Sequence, residues 1–154
     1  MKAAIFTLNS KLYNAKEGSP AAVVLKRTLE QAGFEVKAAG VLPQDKDVVA
    51  SVLQRLSDSS AVNLILTTGA AGYRETDCAP DALTEVADRL LPGIPEALRI
   101  FNLRYSKKAI LDRSAAGIRN KTVIINLPET SKKAKENLEY ILPEIVHLTE
   151  ALNS

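Results

Sequence analysis

The chain reads as an α/β protein built on a mostly parallel, mixed sheet in which one strand runs antiparallel to the rest. Three observations lead there. Short apolar runs of strand length alternate with stretches whose apolar residues recur at helical spacing. Pro and Asp stand where several of the helical stretches begin, and Gly or Pro-Gly stands where they end. Toward the C-terminus two strand-length runs lie only two residues apart, a spacing that suits a hairpin and therefore reverses one strand. With 154 residues, 46% of them hydrophobic, the chain is expected to form a single domain over 1–154 with a full core.

Lys2 to Leu8 contains the apolar run Ala3-Ala4-Ile5-Phe6, too short for a membrane helix and suited to a first buried strand. Asn9 to Ser19 is a polar loop. Pro20 opens a helix whose Val23, Val24, Leu25, Leu29 and Ala32 fall near one face, and Gly33 ends it. Phe34 to Val41 is a second strand. Leu42-Pro43-Gln44-Asp45 leads into a helix striped by Val48, Val49, Val52, Leu53 and Leu56, with Asp45 placed as an N-cap. Asn63 to Thr67 is the third strand, followed by a loop and a helix from about Pro80 to Leu91 that Pro92-Gly93 breaks. Another helix is expected over Ile94 to Tyr105, and a brief helical turn over Ile110 to Arg113. Ala115 to Arg119 and Thr122 to Asn126 make the hairpin around Asn120-Lys121, and Leu127-Pro128 ends it. Ser131 onward is helical, with Pro143 marking a break or a new first turn.

Composition removes several classes of function. The single cysteine, Cys78, excludes an internal disulfide and a cysteine metal cluster, and the single histidine, His147, excludes a histidine metal site. No signal peptide or long apolar span opens the chain, so the expectation is a soluble cytoplasmic protein without a membrane partner. The net charge of +2 hides a local bias: seven basic residues between Arg99 and Lys121 face one acid, Asp112. That stretch reads either as a solvated surface or as a positive field for an anionic ligand. Nucleic acid is not expected, because the chain has no aromatic-rich strand for base stacking and no recognised binding motif.

The strongest sign of chemistry lies between Asn63 and Pro80. Gly69, Ala70, Ala71 and Gly72 follow the third strand and leave few side chains between a ligand and the backbone N–H groups, so this strand tip suits an anion. Thr67 and Thr68 add hydroxyls, Asp77 adds a carboxylate five residues past Gly72, and Ala79-Pro80-Asp81 begins the next helix. The loop is not of the Walker type, lacking Gly-Lys-Ser/Thr, and its spacing does not fit the dinucleotide fingerprint. In open α/β sheets ligands gather beyond the carboxyl ends of the strands. The loops Asn9 to Ser19, Leu42 to Asp47 and Thr68 to Asp77 share that edge, with Asn126 to Ser131 as a fourth. Asp45, Asp47 and Asp77 each have two readings there, helix cap or ligand of a magnesium ion.

Taken together these segments resemble the molybdopterin adenylyltransferase and molybdenum cofactor biosynthesis domain family, over nearly the whole chain. The family's T-T-G-G-T-G, then five residues ending in Asp, then V-T-P-E/D-A, is matched without a gap by Thr67-Thr68-Gly69-Ala70-Ala71-Gly72, Tyr73 to Asp77, and Cys78-Ala79-Pro80-Asp81-Ala82. Its P-G-hydrophobic-x-E-x-hydrophobic-R is similar to Pro92 to Arg99, and its A-G-hydrophobic-R and N-L-P are found at Ala116 to Arg119 and Asn126-Leu127-Pro128. The resemblance implies a three-layer α/β/α sandwich, a homotrimer, and transfer of AMP from ATP to the terminal phosphate of molybdopterin with magnesium. It implies binding roles for Thr67, Thr68, Gly69, Ala70, Ala71, Gly72, Pro80, Asp81, Asn126, Leu127 and Pro128, and catalytic, magnesium-holding roles for Asp77 and Asp45.

The chain departs from the family pattern in four loops. Ala70 and Ala71 replace Gly and Thr, Gln44 replaces an acid, Glu129-Thr130-Ser131 replaces Gly-Ser-Pro, and Asn9-Ser10-Lys11 replaces Ser-Asp-Arg. These changes support an alternative reading, a non-catalytic relative that binds a pterin or another phosphorylated ligand. An enzyme of the same fold acting on a different phosphorylated substrate is a third.

Overall fold

The computed structural model describes residues 1–154. The chain runs β1 (Lys2–Leu8), α1 (Ser10–Ala15), α2 (Pro20–Gln31), β2 (Glu35–Leu42), α3 (Lys46–Asp58) and β3 (Leu64–Thr68). It continues with α4 (Ala79–Val86), β4 (Arg89–Leu90), α5 (Gly93–Leu103), a 3-10 turn (Lys107–Leu111), β5 (Ala116–Arg119), β6 (Thr122–Leu127) and α6 (Ser131–Asn153). One six-stranded sheet has the order β2-β1-β3-β6-β5-β4. Neighbours from β2 to β6 pair in parallel, β5 runs against β6, and β4 pairs antiparallel with β5, so β5 alone is reversed. This is the mixed sheet expected from the hairpin spacing.

Strand alternation sorts side chains onto two faces, and both are covered. Ala3 and Ile5 of β1, Leu64 and Leu66 of β3 and Ile125 of β6 pack with Leu25 and Leu29 of α2, Leu98 of α5 and Leu138 and Ile145 of α6. Ala4 and Phe6, Ile65 and Ile124 point the other way, onto Val49 and Leu53 of α3 and Ala82, Leu83 and Val86 of α4. The result is the three-layer α/β/α sandwich. A fully buried Leu or Ile contributes about 1.5–3 kcal/mol relative to exposure, and the central strand β3 is buried at every position.

Three elements differ from the sequence reading. The loop after β1 contains α1, capped by the Asn9 side chain, which accepts from the Leu12 amide, and closed by Lys16 in the left-handed region at φ 56°. The helix expected to reach Leu91 ends at Val86, and Arg89–Leu90 instead joins the sheet edge. Gly117 permits that pairing, since a Cβ there would lie 2.8 Å from the Arg89 carbonyl oxygen. α6 does not break at Pro143. Its buried stripe, Ala134, Leu138, Ile141, Ile145 and Thr149, continues on both sides of the exposed proline, so packing outweighs the roughly 3 kcal/mol that an interior proline costs.

The far end of the sheet is tied by Arg119. Its guanidinium donates to both Asp58 carboxylate oxygens, at 2.9 and 3.1 Å, and to the Val86 carbonyl at 2.8 Å. The hydrogen bonds from Arg119, more than its charge, hold the Asp58 carboxyl below the usual carboxylate range. A depressed carboxylate adds stability above its unfolded value that fades as pH falls through the folded one.

Gly117→Ala should lower the urea midpoint without changing the slope, costing roughly 1–3 kcal/mol by overpacking. The Ala87 Cβ, 2.9 Å from the added methyl, and the Arg89 carbonyl cannot both retreat without separating β4 from β5. An unchanged midpoint would show that the edge strand yields freely.

Candidate functional site

Four parallel strands send their carboxyl ends to one edge, and the sheet order reverses direction between β1 and β3, where such folds bind ligands. Because β5 runs backwards, the segment that enters it, Asp112 to Ala115, arrives at the same edge. A cavity of about 340 Å³ opens there, lined by Gly69, Ala70, Ala71 and Gly72 with Arg74, Asp77, Asp112, Leu127, Pro128 and Glu129. A second lobe of about 240 Å³ shares Asp112 and Pro128 and adds Asn102, Tyr105, Ser106, Lys108 and Lys133. A larger cavity of about 640 Å³ lies away from this edge, against Leu91, Ile94, Ala97, Tyr140 and Ile141. Its lining is apolar apart from Tyr140 and Glu144, whereas the two-lobed groove gathers several charged and polar groups and is the candidate site.

The turn after β3 is pinned by its carbonyls. The Ala70 carbonyl accepts from the Ala79 amide at 2.9 Å and the Ala71 carbonyl from the Arg113 amide at 2.8 Å. The Gly72 carbonyl accepts from the Arg113 guanidinium at 3.3 Å, which also reaches the Asp77 carbonyl and pairs with Asp81 at 2.9 Å. The amides of Ala70, Ala71 and Gly72, by contrast, donate to nothing within the chain. Gly69 at φ 83° and Ala70 at φ 55° take the left-handed region, which costs an L-residue such as Ala70 about 1–2 kcal/mol. Successive unpartnered amides at a left-handed turn form an anion-binding concavity.

The side chains expected to bind ligand are largely engaged inside. Asn126, 1% exposed, donates to the Thr67 hydroxyl at 2.8 Å and accepts from the Ala115 amide. Thr68, fully buried, donates to Thr7, which donates to Ser19, the N-cap of α2. These groups set the turn and the entrance to β5. Leu127 and Pro80 are buried; Pro128, Leu127 and Asp77 line the first lobe. Asp81 is exposed and held by Arg113. Asp77 accepts from the Arg74 amide at 3.0 Å, and its Oδ2 would lie 2.7 Å from a Cβ at position 72, so Gly72 makes its room.

Asp45 caps α3, accepting from the Asp47 and Val48 amides, and stands outside the cavity lining. No three His, Cys, Asp or Glu side chains converge on a metal position. Asp112 has both carboxylate oxygens engaged, by the Ser114 amide and hydroxyl and by Arg99, which leaves Asp77 as the first-lobe carboxylate that fits a magnesium ion held by one carboxylate and a ligand's phosphates rather than one caged by protein alone. Burial, joined by the nearby Asp81, Asp45 and Asp77 carboxylates, pushes the Cys78 thiol up, which suits a buried structural thiol and not a nucleophile.

Several residues here were not anticipated from sequence. Arg113 stood out only as part of a basic stretch, yet three arginines of that stretch are internal clasps. Arg113 holds the turn, Arg99 donates to the Asp112 and Ser114 carbonyls at 2.9 and 2.6 Å, and Arg119 holds Asp58. The reversed strand was the available signal for Asp112 and Arg113. Gln44 is a clasp of another kind: its side-chain oxygen accepts from the Ser10 amide and its nitrogen donates to the Thr76 carbonyl, both at 3.1 Å.

Residues 4–147 match the family described as a probable molybdopterin binding domain. The chain belongs to this family. It is 36% identical over 112 residues to the molybdopterin adenylyltransferase of Helicobacter pylori, covering 73% of this chain and 64% of that protein. It is 38% identical over 106 residues to the molybdopterin adenylyltransferase of Escherichia coli K12, covering 69% and 54%. The chain thus spans between about half and two thirds of these relatives' lengths. Among solved structures, the molybdopterin biosynthesis enzyme MoaB of Thermus thermophilus superposes with a TM-score of 0.88 at 33% identity, covering 98% of this chain and 95% of that one. The molybdopterin biosynthesis Mog protein of Mycobacterium ulcerans gives 0.90 at 25% identity, covering 98% of each.

Gly72→Ala should keep the fold but drive the Asp77 carboxylate off the Arg74 amide, weakening ligand binding by roughly tenfold, the effect of losing one charge-assisted hydrogen bond. Calorimetric titration of wild type and variant with ATP checks this, and equal affinities would remove Asp77's orientation from the account. For Gln44→Asp the structure predicts a loss rather than restoration of a family acid. An aspartate cannot donate to the Thr76 carbonyl, so the loop before Asp77 should loosen, seen as faster amide hydrogen exchange over residues 73–77.

Proposed function

We propose that the chain is a nucleotidyltransferase of molybdenum cofactor biosynthesis that transfers AMP from ATP to the terminal phosphate of molybdopterin. The three unpartnered amides of Ala70, Ala71 and Gly72 carry this reading, because donors that line the cavity and meet no acceptor within the chain are free to bond phosphate oxygens. Two lobes meeting at Asp112 and Pro128 suit two substrates brought end to end. A terminal phosphate oxygen of the pterin attacks the α-phosphorus of ATP. The new P–O bond forms as the bond to the β-phosphate oxygen breaks, and pyrophosphate leaves with that electron pair. The turn's amides are positioned to stabilise the charge of the transferring phosphoryl group, and Lys108 and Lys133 to hold the second phosphate. A magnesium ion held by Asp77 and the substrate phosphates would supply positive charge to offset that of the leaving pyrophosphate.

The catalytic role assigned to Asp77 is to hold that ion within the first lobe. Asp45 contributes through α3, whose first turn it organises. A cytosolic setting belongs to the same reading, as does a homotrimer. Ile100, Leu103, Tyr105, Ile110 and Leu111 leave large apolar side chains exposed along α5 and the 3-10 turn, a surface that association would cover. No helix is long and apolar enough to cross a membrane.

A second reading, a binding module without turnover, is favoured by one observation: Glu129 sets a carboxylate chain against Gly69, where the turn opens. Incubation of the protein with molybdopterin, ATP and magnesium separates the two. Adenylylated pterin and pyrophosphate should form, and Asp77→Asn should lower turnover roughly hundredfold while leaving the melting temperature unchanged. Pterin binding without product would leave the binding module standing, and unchanged turnover in Asp77→Asn would return that residue to loop capping.

A further inference from the structure

Glu129 and Asn9 lie on loops that both depart from the family pattern, and in this fold they touch. The Asn9 side-chain amide donates to the Glu129 carboxylate at 3.1 Å. Asn9 is itself fixed, since its oxygen caps α1 through the Leu12 amide at 2.9 Å. The Glu129 side chain is thereby held over Gly69, its Cγ 3.5 Å and its Cβ 3.7 Å from where a Cβ on that glycine would stand. The first lobe carries three carboxylates: Asp112 is paired with Arg99 at 3.5 Å and accepts from Ser114, whereas Asp77 and Glu129 meet no cationic side chain, and Arg74 is the only cation lining the lobe. Arg113 does not redress the balance, because its guanidinium is committed to Asp81 and to two backbone carbonyls.

Two opposing demands therefore meet within a few ångströms. The free amides of Ala70, Ala71 and Gly72 call for phosphate oxygens. The surrounding carboxylates repel a bare polyanion. One class of ligand satisfies both, a phosphoryl group that arrives already neutralised by a divalent cation. We propose that Glu129, latched by Asn9 beside Gly69, is a specificity-determining residue that makes the glycine-rich lobe admit polyphosphate as its divalent-cation complex and reject the free anion. The inference rests on the adenylyl-transfer reading for the identity of the ligand, but not for the behaviour of the lobe.

Calorimetric titration of the full chain with ATP, and separately with inorganic tripolyphosphate, each in excess magnesium and in EDTA, tests it. Wild type should bind both ligands roughly tenfold more tightly with magnesium, and Glu129→Gln should shrink that ratio roughly three- to tenfold by tightening the magnesium-free form, as expected for one partly screened charge. Glu129→Ser should behave as Glu129→Gln, whereas Glu129→Asp, which keeps the charge, should keep the wild-type ratio. Equal ratios in wild type and Glu129→Gln overturn the proposal, as does loss of the ratio in Glu129→Asp. If tripolyphosphate shows the Glu129-dependent preference but ATP does not bind, the adenylyl-transfer reading falls and the selectivity stands. Absence of binding by either ligand to either protein overturns both.

Discussion

Two of the three free amides in the turn from Gly69 to Gly72, those of Ala71 and Gly72, share peptide units with carbonyls held from elsewhere, the Ala70 carbonyl by the Ala79 amide and the Ala71 carbonyl by the Arg113 amide. A peptide unit whose carbonyl is fixed has its N–H direction fixed as well, since the group is planar. These two donors are thus preorganised by backbone hydrogen bonds alone. The arrangement requires Arg113 to be at the carboxyl edge of a parallel sheet, and only a reversed strand brings it there. β5 supplies that reversal, and Gly117 lets β4 close the edge outside it. Topology, the hairpin and the anion site are one dependent set.

A division of labour follows. Polar side chains near the strand ends face inward: Thr67 receives Asn126, Thr68 reaches Thr7 and Ser19, and no buried side-chain nitrogen or oxygen lacks a partner. Each such bond contributes about 0.5–1.5 kcal/mol net but would cost more if left unmade, so this network specifies the turn's position more than it adds stability. The backbone, relieved of that task, faces the cavity. A site built so tolerates Ala70 and Ala71 in place of a glycine and a hydroxyl, because the donors it relies on are amides that any residue carries. Ala70 records the cost in its left-handed φ.

Much of this was legible in the sequence, and what was not has identifiable causes. Periodicity and punctuation located β1, β3, the hairpin and most helices to within a residue or two, since burial on both faces leaves little freedom to apolar runs such as Leu64–Thr68. Arg89–Leu90 was lost because two residues carry no periodicity and their pairing depends on a glycine distant in the chain. Pro143 was misread because proline's local cost is visible in sequence while the continuous buried stripe of α6 shows its weight only in the packed helix. At the site, Gly69, Gly72 and Asp77 could be found from spacing. The inward use of Thr67, Thr68 and Asn126 could not, since a hydroxyl at a strand end is equally suited to a ligand or to a neighbouring strand. Asp45 resolves to an N-cap because its oxygen meets two amides of α3.

The departures from the family pattern are not independent of one another. Ser10 and Gln44 exchange two hydrogen bonds, with the Ser10 amide donating to the Gln44 side chain and the Gln44 amide to the Ser10 hydroxyl at 2.8 Å. Asn9 meets Glu129 in the same way across the other side of the turn. Four altered positions thus form two contacts, one of which includes Glu129 of the first-lobe lining. Ala70, Ala71 and the remaining altered positions stand outside these pairs, but Asn9, Ser10, Gln44 and Glu129 each bond another of the four. The Gln44 contact ties α1 and the second-strand loop to Thr76 and so to Asp77, fixing geometry. The Asn9 contact places charge. A rim with two matched polar pairs beside free backbone donors is the arrangement that the proposed selectivity needs, and under that proposal the charge of an incoming phosphate, more than its shape, is what Glu129 would discriminate.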